Sequence, residues 1–327
     1  MTTRERIVNT MAFRPVDRLP MIEWAGWWDK TLDNWRDQGL DGGDLFGHFG
    51  LDDHRQFWIH ATAPDAPHAP GADCHVTCME DYERLRPWLF PEAAIARAVA
   101  GLTELVEGHV RGDFAVWLTL EGFFWWPREL MGIEAHLYSF YDEPELYHRM
   151  CGDLADFHLR VVEAMCAVSV PDFVTFAEDM SYNHGPMLSE ASFEEFLRPY
   201  YQRVVPELKR RGIKVLVDTD GDVMPMVPWL LCAGMQGILP LERQSGVDAA
   251  VLRELYPELI MLGAFDKRVM KQGEAAMRAE FERLLPVMRT GGFIPSVDHQ
   301  TPPDVSVENY EIYMRLFREY ATKGAGR

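Results

Sequence analysis

Two aspartates lie two residues apart at the end of an apolar segment, in the stretch KVLVDTDGD over 214–222. The apolar run 215–217 is typical of a buried parallel strand, and its abrupt polar end is typical of a strand that emerges at a site. Because side chains alternate along a strand, Asp218 and Asp220 face the same side. Two such carboxylates repel each other, so they share a cation, a proton or hydrogen bonds. A capping aspartate followed by a turn aspartate is the structural alternative.

Nearly all of the remaining predicted strands also end on an ionisable residue. Ordinary strand-end polarity explains any one of them, but converging carboxylates need a compensating charge. A metal ion or a nearby base would supply that charge, and the candidate bases are Arg243, Lys267, Arg268 and His299. The strand-end residues are Glu23, Glu121, Glu178, Asp179, Asp218, Asp220, Glu242, Arg243, Asp266 and His299.

The residue types predict a metal site formed by Asp218, Asp220 and His299. Two carboxylates and an imidazole suit a divalent ion, with Zn as the first choice and Mn or Fe(II) as alternatives. The alternative is a water-filled cluster in which His299 pairs with an aspartate. The predicted catalytic residues are Glu178, Asp179, Arg243 and His184, which lies in the loop SYNHGPM; for His184, loop packing is the alternative.

Several tryptophans follow strand ends and do not fall in helical stripes. Such rings can wall a pocket for a flat or apolar ligand, or they can seal the top of the core. The predicted substrate-binding residues are Trp24, Trp27, Glu121, Trp125 and Asp266.

The elements that must position these residues alternate between strand and helix. Strands are predicted at 21–24, 56–61, 115–120, 173–176, 215–217, 237–241, 259–263 and 293–297, after a helix over 3–12. Alternation with short helices predicts a parallel sheet, and eight strands close a (β/α)8 TIM barrel. An open doubly wound sheet is the rival, but no glycine-rich phosphate loop follows any strand. We therefore predict one domain over 1–327, a TIM barrel with an N-terminal helical extension.

Composition restricts the classes of partner. The net charge of −19 argues against a protein that binds nucleic-acid phosphates. No apolar run is long enough to span a membrane, and the charged N-terminus does not resemble a signal peptide. Five scattered cysteines suit reduced thiols, so we expect a cytoplasmic location.

The order of segments resembles the uroporphyrinogen decarboxylase superfamily over nearly the whole chain. The matching motifs are RERIVNTMAFRPVDRLP, YDEPELYHRM, GPMLSEASFEEFLRPYYQRVVPELKRRGIKV and GGFIPSVDHQTPPDVSVENY. The resemblance implies a (β/α)8 barrel whose pocket lies at the carboxyl ends of the strands. It also implies one of two activities, decarboxylation or cobamide-dependent methyl transfer.

Two departures from the family's patterns separate these activities. The decarboxylases carry an arginine-rich segment after the first strand, where this chain has MIEWAGWWDK, so decarboxylation of a porphyrinogen is not expected. The methyltransferases hold zinc through a His-x-Cys pair and a later cysteine. This chain has Asp218-Thr219-Asp220 and His299 at those places, which implies a site without thiolate ligands and argues against coenzyme M as acceptor.

The resulting hypothesis is an enzyme that moves a methyl group between a small, O-methylated or aromatic substrate and a corrinoid protein carrying a cobamide. A divalent metal ion would assist as a Lewis acid. A lyase or decarboxylase of a small carboxylic acid, without metal, is the second hypothesis, with Arg243, Lys267 or Arg268 holding the carboxylate. A non-enzymatic barrel that binds a ligand or docks a corrinoid protein is the third.

Overall fold

The structure is a computed structural model and describes residues 1–325. Seven strands form one parallel, curled sheet in the order β1-β2-β3-β6-β7-β8-β9. A two-stranded antiparallel hairpin, β4-β5, lies outside it. The strands are β1 His54–Ile59, β2 Ala115–Glu121, β3 Phe173–Ala177, β4 Ser181–Tyr182, β5 Gly185–Pro186, β6 Lys214–Asp218, β7 Gly237–Leu239, β8 Ile260–Phe265 and β9 Phe293–Val297.

Helices follow and separate the strands of the large sheet, as the predicted alternation requires. They are α1 Thr3–Met11, α2 Asp29–Asp37, α3 Leu45–Phe49, α4 Met79–Leu85, α5 Glu92–Arg111, α6 Trp125–Met131, α7 Ile133–Asp142, α8 Pro144–Val168, α9 Glu190–Phe196, α10 Arg198–Arg210, α11 Val227–Cys232, α12 Ala249–Leu255, α13 Glu274–Met288 and α14 Val307–Ala325. No helix within residues 1–325 is both long and apolar enough to cross a membrane.

The predicted strand over 21–24 does not form, so a closed eight-stranded barrel is not confirmed. Residues 21–24 form isolated hydrogen bonds and no regular ladder with a neighbouring strand. The Ile22 carbonyl accepts from the Ser296 hydroxyl at 2.7 Å, and the Met21 carbonyl accepts from the Asp52 amide at 2.7 Å. The indole of Trp24 donates to the Val297 carbonyl at 2.9 Å. The segment therefore lies between the sheet's two edge strands without pairing regularly with either.

The inner face of the sheet carries its own apolar core. Trp117, Phe173, Leu216 and Ile294 belong to it, together with Ile7 and Met11 of α1. Helix α1 joins the sheet near the start of β9, where the Gly292 amide donates to the Thr10 carbonyl at 2.9 Å. The N-terminal helix thus packs at the amino ends of the strands, and the opposite end carries the polar residues.

Candidate active site

A cleft of about 310 Å³ lies at the carboxyl ends of β1, β2, β3, β6 and β9. This position is the one where (β/α)8 barrels carry their pockets. Four tryptophans and four carboxyl groups line the cleft. The lining residues are Trp24, Ala25, Gln56, Trp58, Trp117, Trp125, Ala177, Glu178, Asp179, Asp218, Asp220, His299 and Gln300.

Asp218 ends β6 and Asp220 follows it, so the predicted pair does reach the cleft. Thr219, between them, is fully buried: its amide donates to the Leu239 carbonyl at 2.8 Å, and its hydroxyl accepts from the Met180 amide at 2.9 Å. Burial, with the charges of Asp179 and Asp220, raises the pKa of Asp218 well above its usual range. Burial, with the charges of Asp179 and Glu242, raises the pKa of Asp220 to about 7.

His299 completes one polar contact across the cleft. Its Nε2 lies 3.6 Å from Oδ2 of Asp220, and its ring meets the edge of the Trp24 ring with centroids 5.8 Å apart. Burial and the nearby Lys267 charge lower the pKa of His299. Across residues 1–325, no three His, Cys, Asp or Glu side chains converge as metal ligands. The predicted trio Asp218, Asp220 and His299 therefore does not fit a three-ligand site as these side chains lie.

Asp179 occupies a strained position beside this pair. Its φ of 41° lies in the left-handed region, which aspartate tolerates better than most residues. Arg128 holds it there, donating to the Asp179 carbonyl at 3.1 Å and approaching the carboxylate at 3.6 Å. The guanidinium also lies over the Trp125 ring, 4.1 Å from its centroid. Burial raises the pKa of Asp179, and the Arg128 charge opposes that rise.

Glu178 is a fully engaged carboxyl group. Its Oε1 accepts from the Phe123 amide at 2.8 Å and from the Tyr201 hydroxyl, and its Oε2 accepts from the Phe124 and Trp125 amides at 2.8 and 3.2 Å. Burial raises its pKa to about 7 against these hydrogen bonds. Glu178 thus anchors the aromatic loop to the end of β3.

Glycine at 122 makes this anchoring possible. A Cβ there would lie 2.0 Å from the Glu178 carboxyl carbon and 2.4 Å from the Ala177 carbonyl oxygen. Gly122, directly after β2, is thus required by the close approach of β3.

Three predicted site residues are tied to other partners outside the cleft. Asp266 accepts two hydrogen bonds from the Arg268 guanidinium, at 2.7 and 2.8 Å. Arg243 donates to the Val247 carbonyl and lies 3.4 Å from Asp248. His184 sits exposed in the turn of the β4-β5 hairpin, with its ring against Tyr182.

Two more predicted residues are near the cleft without lining it. Trp27 packs in an aromatic cluster with Trp35, Phe49 and Tyr310. Glu121 accepts from the Ala61 amide at 2.9 Å and contacts the His60 ring nitrogen at 2.9 Å. It lines a larger groove of about 1020 Å³, which shares Gln56, Trp58 and Trp125 with the cleft.

Comparison with known proteins identifies the family. The sequence model of the uroporphyrinogen decarboxylase (URO-D) family matches residues 64–320, about four-fifths of the chain. The chain belongs to the uroporphyrinogen decarboxylase family. The predicted family is therefore confirmed, and this is a family of enzymes. A search of curated proteins finds no match.

A solved structure has the same fold as this uroporphyrinogen decarboxylase family member. It is a methyltransferase from Methanosarcina mazei, with a TM-score of 0.70 and 14% sequence identity, and the match covers 98% of this chain and 99% of that one. At that identity the likeness concerns the fold alone.

Sequence reasoning missed several residues of the cleft in this family member. Gln56 and Trp58 lie two residues apart on β1, so period-two alternation would have placed both on one face of that strand. Trp117 of β2 joins them only through the sheet register, which pairs it with Gln56. Gln300 is the neighbour of His299 in the sequence, so its place in the cleft could have been predicted from that of His299. No sequence pattern predicts the contact of Arg128 with Asp179, because that contact depends on how α6 packs against the end of β3.

Proposed function

We propose that this protein is a methyltransferase that moves a methyl group between a small methylated substrate and a corrinoid protein. The observation that carries the proposal is the lining of the cleft, which combines tryptophans and carboxyl groups and, among residues 1–325, includes no arginine or lysine. A porphyrinogen with several carboxylates would meet like charges there. The segment MIEWAGWWDK, which stands where the decarboxylases have arginines, contributes Trp24 and Ala25 to this lining.

The comparisons support the same branch of the family. The structural neighbour is itself named a methyltransferase and matches this chain from end to end. The runner-up hypothesis, a lyase that holds a small carboxylate, loses support because Arg243 and Arg268 are paired with Asp248 and Asp266. Lys267 is paired as well, at 3.4 Å from Glu242.

In this proposal the tryptophans of the cleft position the substrate, and the aspartates supply charge or a proton. Trp24, Trp58 and Trp125 pack against the substrate and exclude water from it. Asp218 and Asp220 lie beside the methylated heteroatom. There a neutral carboxyl donates a proton to a departing oxygen, whereas a carboxylate pairs with a substrate that carries positive charge. The corrinoid acts as a second substrate that its own protein brings to the cleft.

Metal assistance remains a prediction of the sequence. Zn, Mn or Fe(II) at Asp218, Asp220 and His299 would require these side chains to move together. Elemental analysis of the purified protein, before and after supplementation, checks it. Stoichiometric metal that Asp218→Ala and His299→Ala both remove would support the site, and metal that neither removes would place it elsewhere.

The methyl transfer itself is tested with free, chemically reduced cobalamin as the acceptor. A panel of donors carries the methyl group on oxygen, nitrogen or sulfur. Loss of the reduced cobalamin's absorption and the mass of the demethylated product report transfer. We expect activity with at least one donor, and a rate about a hundredfold lower in Asp218→Asn and Asp220→Asn because both carboxyls face the reacting group.

Asp41→Asn is the matched control, since Asp41 is exposed and lies outside the cleft. It should transfer the methyl group at the unaltered rate. Absence of transfer from every donor, together with release of CO2 from a small carboxylic acid that Arg243→Ala abolishes, would replace the proposal with the lyase. Absence of any turnover, with ligand binding indifferent to Asp218→Asn, would replace it with the non-enzymatic barrel.

A further inference from the structure

The cleft carries more negative groups than its own bases compensate. Arg128 lies 3.6 Å from Asp179, and His299 lies 3.6 Å from Asp220. In the part of the chain that the structure describes, the Asp218 carboxyl has no hydrogen-bond or ion-pair partner at all.

The tryptophans that line the cleft present mainly aromatic carbon to a ligand, because two of their indole N–H groups are bound within the protein. The indole N–H of Trp24 is bound to the Val297 carbonyl, and that of Trp117 is bound to the Thr175 hydroxyl at 2.8 Å. Both donors are therefore occupied by the protein. Their rings and those of Trp58 and Trp125 can give a ligand dispersion contact and the negative potential of their faces.

Arg128 already shows how this edge of the cleft binds a cation. Its guanidinium lies over the Trp125 ring at 4.1 Å and beside the Asp179 carboxylate at 3.6 Å. An aromatic face and a carboxylate thus hold one positive charge between them. Asp218, with Trp24, Trp58 and Trp117 around the same cavity, repeats these components without a protein cation.

We propose that the substrate of this cleft is a methylated onium cation, of which a quaternary ammonium compound is the simplest example. The proposal rests on the proposed methyl transfer and names its donor class. The tryptophans surround the methylated headgroup, and Asp218 supplies the counter-charge. Rings that present their faces bind methylated ammonium groups without needing any hydrogen bond from them.

The transfer balances without a proton. The bond between nitrogen and the methyl carbon breaks, and its electron pair stays on nitrogen, so the product leaves as a neutral tertiary amine. The methyl group passes as a methyl cation equivalent to the electron pair of the reduced corrinoid. The positive charge thus leaves the nitrogen as transfer proceeds, and the amine regains a positive charge only when it takes up a proton in a separate step.

Equilibrium binding to the full-length protein tests the donor class without requiring turnover. Choline is compared with 3,3-dimethylbutan-1-ol, which has the same shape with carbon in place of the charged nitrogen. Calorimetry at high and low salt separates binding in the cleft from general attraction to a chain of net charge −19. We expect choline to bind about tenfold tighter or more, at both salt concentrations.

Variants then locate the binding. Asp218→Asn should weaken choline about tenfold and leave the neutral alcohol unchanged, while Asp41→Asn should change neither. Trp58→Leu should weaken choline more than Trp58→Phe, which keeps an aromatic face; Trp58 is 43% exposed, so the fold tolerates both. The comparison of the two ligands on the unaltered chain needs no variant.

The outcomes separate this inference from the proposed function. Equal binding of the two ligands, or choline binding that Asp218→Asn and Trp58→Leu leave unchanged, overturns the inference. Methyl transfer to reduced cobalamin from anisole, with no binding of choline, also overturns it and leaves the methyltransferase standing. Choline bound in the cleft, with no transfer from any donor, supports the cation site and overturns the proposed methyl transfer.

Discussion

Carboxyl groups of similar appearance in the sequence have different roles at the strand ends. Glu178 accepts four hydrogen bonds, and Asp298 accepts the amides of Arg243 and Lys267 at 2.9 and 3.1 Å. Asp218 has none of these partners within residues 1–325. A buried carboxyl that is saturated holds loops together, whereas one without partners is available to a ligand. Within the proposed function, this difference favours a positioning role for Glu178 and contact with the substrate for Asp218.

Glu23 makes stability depend on pH. It is 2% exposed, the Tyr310 hydroxyl donates to it at 2.9 Å, and burial raises its pKa to about 8. The unfolded chain releases this proton near pH 4 and the folded chain retains it. The group's contribution to stability therefore falls as the pH rises from about 4 to about 8. Glu23→Gln should remove that loss and be more stable by about 4 kcal/mol at pH 7.5, with little change at pH 4.

Urea unfolding of both chains across this pH range measures the effect. Glu254→Gln, at an exposed position, is the control and should follow the unaltered chain at every pH. A Glu23→Gln chain whose stability falls with pH as steeply as the unaltered chain would show that Glu23 does not carry this dependence.

At the scale of elements, the β4-β5 hairpin positions Asp220. The Asp222 amide donates to the Tyr182 carbonyl at 2.9 Å, and the Ser181 hydroxyl donates to the Asp220 carbonyl. Gly221 lies between these contacts with φ of 83°, and a Cβ there would be 2.6 Å from the Tyr182 backbone. The glycine after the two aspartates is therefore needed both for its conformation and for the close approach of the hairpin.

Gly221→Ala should displace the hairpin and destabilise the protein by about 3 kcal/mol, since strain and a backbone clash add. Gly246→Ala is the matched control. Gly246 has φ of 89°, and nothing lies within 4 Å of its Cβ position, so strain alone costs about 1 kcal/mol. Chemical unfolding measures both, and limited proteolysis at the hairpin reports its displacement. Equal losses in the two variants would contradict the role given to the hairpin contact.

At the scale of the whole molecule, Asp52 joins the N-terminal part of the chain to the sheet. Its carboxylate accepts from Arg6 of α1 at 2.8 Å, from Arg18, and from the Met21 amide at 2.9 Å. Asp52 lies just before β1 and is 3% exposed. This cluster fixes the segment over 21–24, which carries Trp24 into the cleft, although no regular strand holds it.

Asp52→Ala should destabilise the protein by about 3 kcal/mol, because it leaves the buried Arg6 without one of its carboxylates. It should also speed amide hydrogen exchange in residues 19–25. Asp33→Ala breaks a well-exposed pair with Arg36 and should leave the unfolding midpoint nearly unchanged. Similar midpoints for the two variants would show that the cluster does not hold the segment.

The sequence by itself determined the parallel alternation of strands and helices, the family, and the set of polar residues at the strand ends. These follow from patterns within about 30 residues, where the period of a strand or helix and the family's motifs are readable. The metal trio, the catalytic residues and the corrinoid partner also rest on the sequence and remain predictions.

Only the tertiary structure decided which strand-end residues face one another. His299 meets Asp220 across 79 positions of chain, and Glu178 meets the amides that follow β2. Asp266 and Arg243 form ion pairs outside the cleft, with Arg268 and Asp248. Residues 21–24 contact both edges of the sheet without forming a strand. Such contacts depend on sheet register and on how each loop packs, and both are set by interactions between residues far apart in the sequence, which no local pattern contains.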